Sequence, residues 1–118
     1  MMERTEPRAY LVVKMVVEPE FETEFNRWYD EEHYPERMGV PGFLRGRRMI
    51  HEGDDGRTYL AVYDLADAEV LNSPEYLAVG AKENASPWTL RVVKHLVSMD
   101  RRIYRDITPT SGAAEFPS

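Results

Sequence analysis

The chain has no cysteine, which excludes a disulfide framework, a thiolate nucleophile, an iron–sulfur cluster and a cysteine zinc site. It has no long apolar run. The longest, Leu11 to Val17, is interrupted by Lys14 and falls far short of the roughly 20 residues that a membrane-spanning helix needs. Glu3 and Glu6 precede it, so it does not read as a signal peptide either. Basic residues are the minority, 15 against 21 acidic, for a net charge of −6, and a dedicated nucleic-acid binder usually shows the opposite balance. No G-x-G-x-x-G, P-loop or G-x-S-x-G is present, which leaves nucleotide binding and serine hydrolysis without support. Histidine is scarce, with three in all. What remains is a chain of 118 residues, 42% hydrophobic and 31% charged. That composition suits one soluble, cytoplasmic domain with no partner in nucleic acid or membrane.

Hydrophobic periodicity gives the element order. Ala9 to Val17 is apolar on both parities, with Leu11, Val13, Met15 and Val17 on one and Tyr10, Val12 and Val16 on the other. It reads as a strand that needs cover on both faces. Pro19 suits a first helical turn, and Glu18, Glu20, Glu22 and Glu24 complement the helix dipole. Phe21, Phe25, Trp28, Tyr29 and Glu32 then fall on one helical arc, and Pro35 is expected to end or bend the helix just after His33. Phe43 to His51 is a second strand, Gly53-Asp54-Asp55-Gly56 a hairpin signal, and Thr58 to Asp64 a third strand. Ala66 to Ala81 reads as a helix broken near Asn72-Ser73-Pro74, Asn84 to Pro87 as a loop, and Leu96 to Arg105 as the last strand.

The order β-α-β-β-α-β predicts an α+β, ferredoxin-like domain over residues 1–107, with residues 108–118 as a C-terminal extension. It has a four-stranded antiparallel sheet with its helices on one face. Two helices cover one side only of strands that are apolar on both. The economical cover for the other side is a second copy packed face to face, so a homodimer is expected.

Several residues have types suited to chemistry. His33 is the natural acid–base group at neutral pH, one turn after Tyr29 at the edge of the aromatic stripe; the alternative is a histidine that caps the helix end. Glu32 lies within that stripe, where a carboxylate either lines a cavity or pairs with an arginine such as Arg45, Arg47 or Arg48. Lys14 interrupts an apolar strand and would either stabilise an anionic oxygen in a pocket or snorkel to the rim. Trp28, Tyr29, Tyr10 and Tyr63 are candidates to line a ligand pocket, and Arg47 to clamp a carboxylate. By strand parity Arg45 and Arg47 share a face with Phe43, Met49 and His51. Asp30, His33 and Glu36 are spaced by three, but Pro35 spoils the helical geometry, so no metal is expected.

The segment Phe25 to Met49, with Trp-Tyr-Asp-x-x-His-x-Pro, Val40-Pro41-Gly42-Phe43 and an arginine-rich strand, resembles the EthD-like branch of the dimeric α+β barrel superfamily. The Tyr59 to Tyr63 strand and Ser73-Pro74-Glu75-Tyr76 fit the same pattern, so the resemblance spans roughly residues 9 to 105. It implies the fold already argued and places the recurrent histidine of that branch at His33. It also implies a cofactor-free protein that acts on a hydrophobic, aromatic or polyketide-like compound. The expected chemistry is proton transfer, cyclisation, dehydration, decarboxylation or oxygenation. The alternative is a binding or accessory protein of a catabolic or biosynthetic pathway.

Overall fold

The structure, a computed structural model, describes residues 6–109, so most of the extension read at 108–118 lies outside the described residues. Four strands, β1 (Ala9–Val17), β2 (Phe43–Gly53), β3 (Gly56–Leu65) and β4 (Leu96–Arg105), form one antiparallel sheet in the order β2-β3-β1-β4. The helices α1 (Glu22–Trp28), α2 (Tyr34–Met38), α3 (Pro74–Gly80) and α4 (Pro87–Lys94) carry the connections. This is the α+β, ferredoxin-like arrangement that the sequence predicts.

Strand pairing decides which residues face the helices. Leu11 pairs with Tyr63, Val13 with Ala61 and Met15 with Tyr59, and all six are buried beneath the helical layer. Phe25 joins them from α1 and Val92 from α4, both with no exposed surface. The opposite parity, including Tyr10, Val12, Lys14, Leu60 and Val62, faces away from the helices. Along β1 that face is half-buried except at Lys14, which is exposed.

Three local readings differ from the structure. Pro35 does not end the helix. A π turn at Tyr29–His33, closed by the Tyr34 N–H on the Tyr29 carbonyl, precedes it, and the chain continues into α2 with Pro35 in its first turn. Proline there lacks only a donor that a first turn leaves unpaired. Second, a register shift between Phe43 and Arg45 moves Phe43 to the helix side, opposite Leu65 and away from Arg45 and Arg47. A bulge of this kind reverses the parity on one side of it. The helix read over Ala66 to Ala81 breaks near Ser73 as expected, into a 3-10 turn at Ala68–Asn72 and α3, which is capped by Ser73 Oγ accepting from the Tyr76 N–H. Finally, α4 was not expected, although Ser86-Pro87 is a helix start: Ser86 Oγ accepts from the Thr89 N–H at 3.0 Å.

Gly42 lies in the connection into β2 with φ of 97°, and a Cβ there would run into the Val70 side chain. Gly46 admits Tyr34 from α2 onto the sheet, where the Tyr34 hydroxyl donates to the Gly46 carbonyl at 3.1 Å.

Candidate functional site

The π turn puts His33 where an α-helix would not. Five residues along an α-helix leave side chains about 140° apart, whereas an i→i+5 turn brings them into register. The His33 ring accordingly stacks on Trp28, with centroids 4.5 Å apart and planes at 29°, and meets Tyr29 edge-on at 4.8 Å. Among the described residues its ring nitrogens have no hydrogen-bond partner. Burial, followed by the positive charges of Arg37 and Arg48, pushes its pKa down to about 3. The imidazole is therefore neutral at physiological pH.

His33 lines a cleft of about 250 Å³. Glu36 and Arg37 of α2 border it on the same side; Val79, Ala81 and Lys82 follow from the end of α3, and Ser86, Thr89, Leu90 and Val93 from α4 and its cap. Arg37 is mostly buried, donating to Glu36 Oε1 at 3.0 Å and to the Val79 carbonyl at 3.4 Å.

Glu32 helps to hold the wall of the cleft. Its Oε2 accepts from Ser86 Oγ at 2.5 Å and from Thr89 Oγ1 at 2.8 Å, and Thr89 Oγ1 in turn accepts from Trp28 Nε1 at 3.0 Å. The carboxylate thus meets two hydroxyls of α4 and its cap, and these tie α4 to the helix that carries His33. Ser86 and Thr89 were not singled out from the sequence. The Ser-Pro helix start was the signal that could have found them.

On the sheet side of the same helix the space is filled. The gap lined by Phe25, Tyr29, Arg48 and Tyr59 has no room for a water. The Tyr29 and Tyr63 hydroxyls lie 3.4 Å apart, and burial raises both pKa values. The Arg48 guanidinium sits 4.2 Å from the centre of the Tyr29 ring and donates to Asn26 Oδ1 at 2.8 Å and to Asp30 Oδ1 at 2.9 Å. A shallow groove of about 370 Å³ lies outside it, over Asn26, Met49, Ile50 and Tyr59.

The fold thus gathers Trp28, Tyr29, Glu32 and His33, with Tyr63 reached through Tyr29. Lys14, Tyr10 and Arg47 belong to the other face of the sheet. There Lys14 borders a polar hollow of about 310 Å³ with Asp100, Arg102 and Tyr104. Arg47 donates to Asp64 Oδ1 at 2.5 Å. Within one chain these three cannot share a ligand with His33. Asp30 and Glu36 are likewise engaged with Arg48 and Arg37, and among the described residues no three His, Asp or Glu side chains form a potential metal site.

No protein-family model and no curated protein matches the sequence. Solved structures do match its fold. A dimeric ferredoxin-like protein from an uncultured marine organism superposes with a TM-score of 0.63 at 13% identity, over 89% of this chain and 92% of that one. An ethyl tert-butyl ether (EthD) family protein from Bacillus halodurans C-125 gives 0.58 at 18% identity, over 84% and 99%. SnoaB from Streptomyces nogalater, described as a cofactor-independent oxygenase, gives 0.55 at 16% identity, over 89% and 98%. At these identities the likeness establishes the fold alone, a ferredoxin-like α+β domain.

Proposed function

We propose that the protein binds a small planar organic molecule in the cleft beside His33. One observation carries this reading: a neutral, half-buried imidazole, stacked on Trp28 and with no hydrogen-bond partner among the described residues, lines a cleft with an otherwise mainly apolar wall. A ligand ring would pack on the apolar wall, and its polar substituent would meet the free imidazole. The volume limits the ligand. About 250 Å³ is below the roughly 300–1,000 Å³ of sites for drug-sized molecules, which favours one ring or two over a tetracyclic polyketide.

Binding is the primary reading and catalysis the secondary one. General acid–base work is most effective with a pKa near the working pH, and His33 is far below it while the cleft holds no charged ligand. Lys14, on the other face of the sheet, supplies no second group within the chain. An accessory or carrier role therefore fits better than a cyclase, lyase or oxygenase. The reading calls on no cofactor. Among the described residues no helix is long and apolar enough to cross a membrane.

The same proposal includes a homodimer closed through the helix-free sheet face. Val12, Leu60 and Val62 lie half-buried at its centre, and a neighbour with this fold is described as dimeric.

The test of the site is a fragment titration followed by NMR, with one-ring and two-ring aromatic compounds. The His33 ring signals and the Trp28 indole N–H should move together and saturate. If no fragment moves either group, the cleft is not a ligand site.

A further inference from the structure

Arg37 lies on the cleft from α2 and Lys82 from the segment after α3. Arg37 shares its charge with Glu36, and Arg48, which acts on His33 from β2, is paired with Asp30. Glu32 is bound by Ser86 and Thr89, and Arg91 on α4 pairs with Glu24. Among the described residues Lys82 has no acidic partner. The groups left to meet a ligand are therefore hydrogen-bond donors and one unpaired cation, which suit an anion.

Resting on the reading of this cleft as a ligand site, we infer that its ligand is an aromatic carboxylate, the ring against Val79, Leu90 and Val93 and the carboxylate between Arg37 and His33. The ring side is apolar, and the two polar groups are of the kinds that recognise a carboxylate: a guanidinium donor and an imidazole N–H.

The experiment compares benzoate with benzamide, the neutral compound of nearly the same shape, on the full chain. Calorimetry measures the two affinities, and NMR follows His33 and the Trp28 indole. Benzoate should bind at least about 10-fold tighter than benzamide. Arg37→Gln should weaken benzoate by about 10- to 100-fold. Lys82→Glu, which places a carboxylate on the cleft wall, should weaken benzoate by about 2- to 5-fold and benzamide by less. If benzamide binds as tightly as benzoate, the carboxylate assignment is overturned while the ligand site stands. If neither compound moves His33 or Trp28, and no neutral fragment does, both readings fall.

Discussion

His33 makes a prediction about stability that needs no ligand. In the folded chain burial and two arginines hold its pKa at about 3, whereas in the unfolded chain it has the ordinary value of 6.5. Between these values the unfolded chain binds a proton that the folded chain does not. Stability therefore falls as pH falls through this window, and the penalty is absent above about pH 6.5. At pH 5 it amounts to about 2 kcal/mol, from one and a half pH steps at about 1.4 kcal/mol each. His33→Phe keeps a ring on Trp28 and removes the titration. Urea unfolding of both chains at pH 7 and pH 5, at one fixed chain concentration because an oligomer's stability depends on it, isolates the effect. All other side chains are common to both proteins, so their pH dependence cancels in the difference. The wild type should lose about 2 kcal/mol more than the variant between the two pH values. A difference below about 0.5 kcal/mol would show that the imidazole is freely solvated, and the account of the cleft would be wrong.

Thr89→Val keeps the shape but removes the acceptor for Trp28 and a donor to Glu32, so it should cost about 1–3 kcal/mol in chemical denaturation and shift the indole N–H signal; an unmoved indole signal would contradict the network. Gly42→Ala should cost about 2–4 kcal/mol, from its positive φ and from overpacking against Val70. Adding Val70→Ala should recover the packing part only, and full recovery would mean that the backbone conformation costs nothing. Val62→Asp, on the helix-free face of β3, should turn a dimer into a monomer in analytical ultracentrifugation; a variant that remains dimeric would move the interface elsewhere.

Much of the architecture was legible because period-2 and helical patterns report burial directly. Ala9 to Val17 emerges as β1 with the predicted bounds, and the Gly-Asp-Asp-Gly turn joins β2 to β3 as read. The failures have local causes. Phe43 changed faces because one bulge shifts parity, and nothing in Phe-Leu-Arg-Gly-Arg marks the bulged position. The helix α4 is short, and its start signal was absorbed into a loop.

His33 stood out by residue type and by its place after Tyr29, so the sequence alone determined that an imidazole would sit beside the aromatic stripe, and the two-sided pattern of β1 determined that one sheet face needs cover beyond the helices. Only the tertiary structure decided what surrounds that imidazole. A π turn rotates His33 onto Trp28, Arg48 reaches it from β2 and Arg37 from α2, and α4 arrives some fifty residues later to close the cleft and to give Glu32 two hydroxyls in place of an arginine. Lys14 was separated from His33 because the sheet itself lies between the two faces. These outcomes depend on which strands pair and which helices meet, and those contacts join residues far apart in the chain, where no local periodicity carries the information.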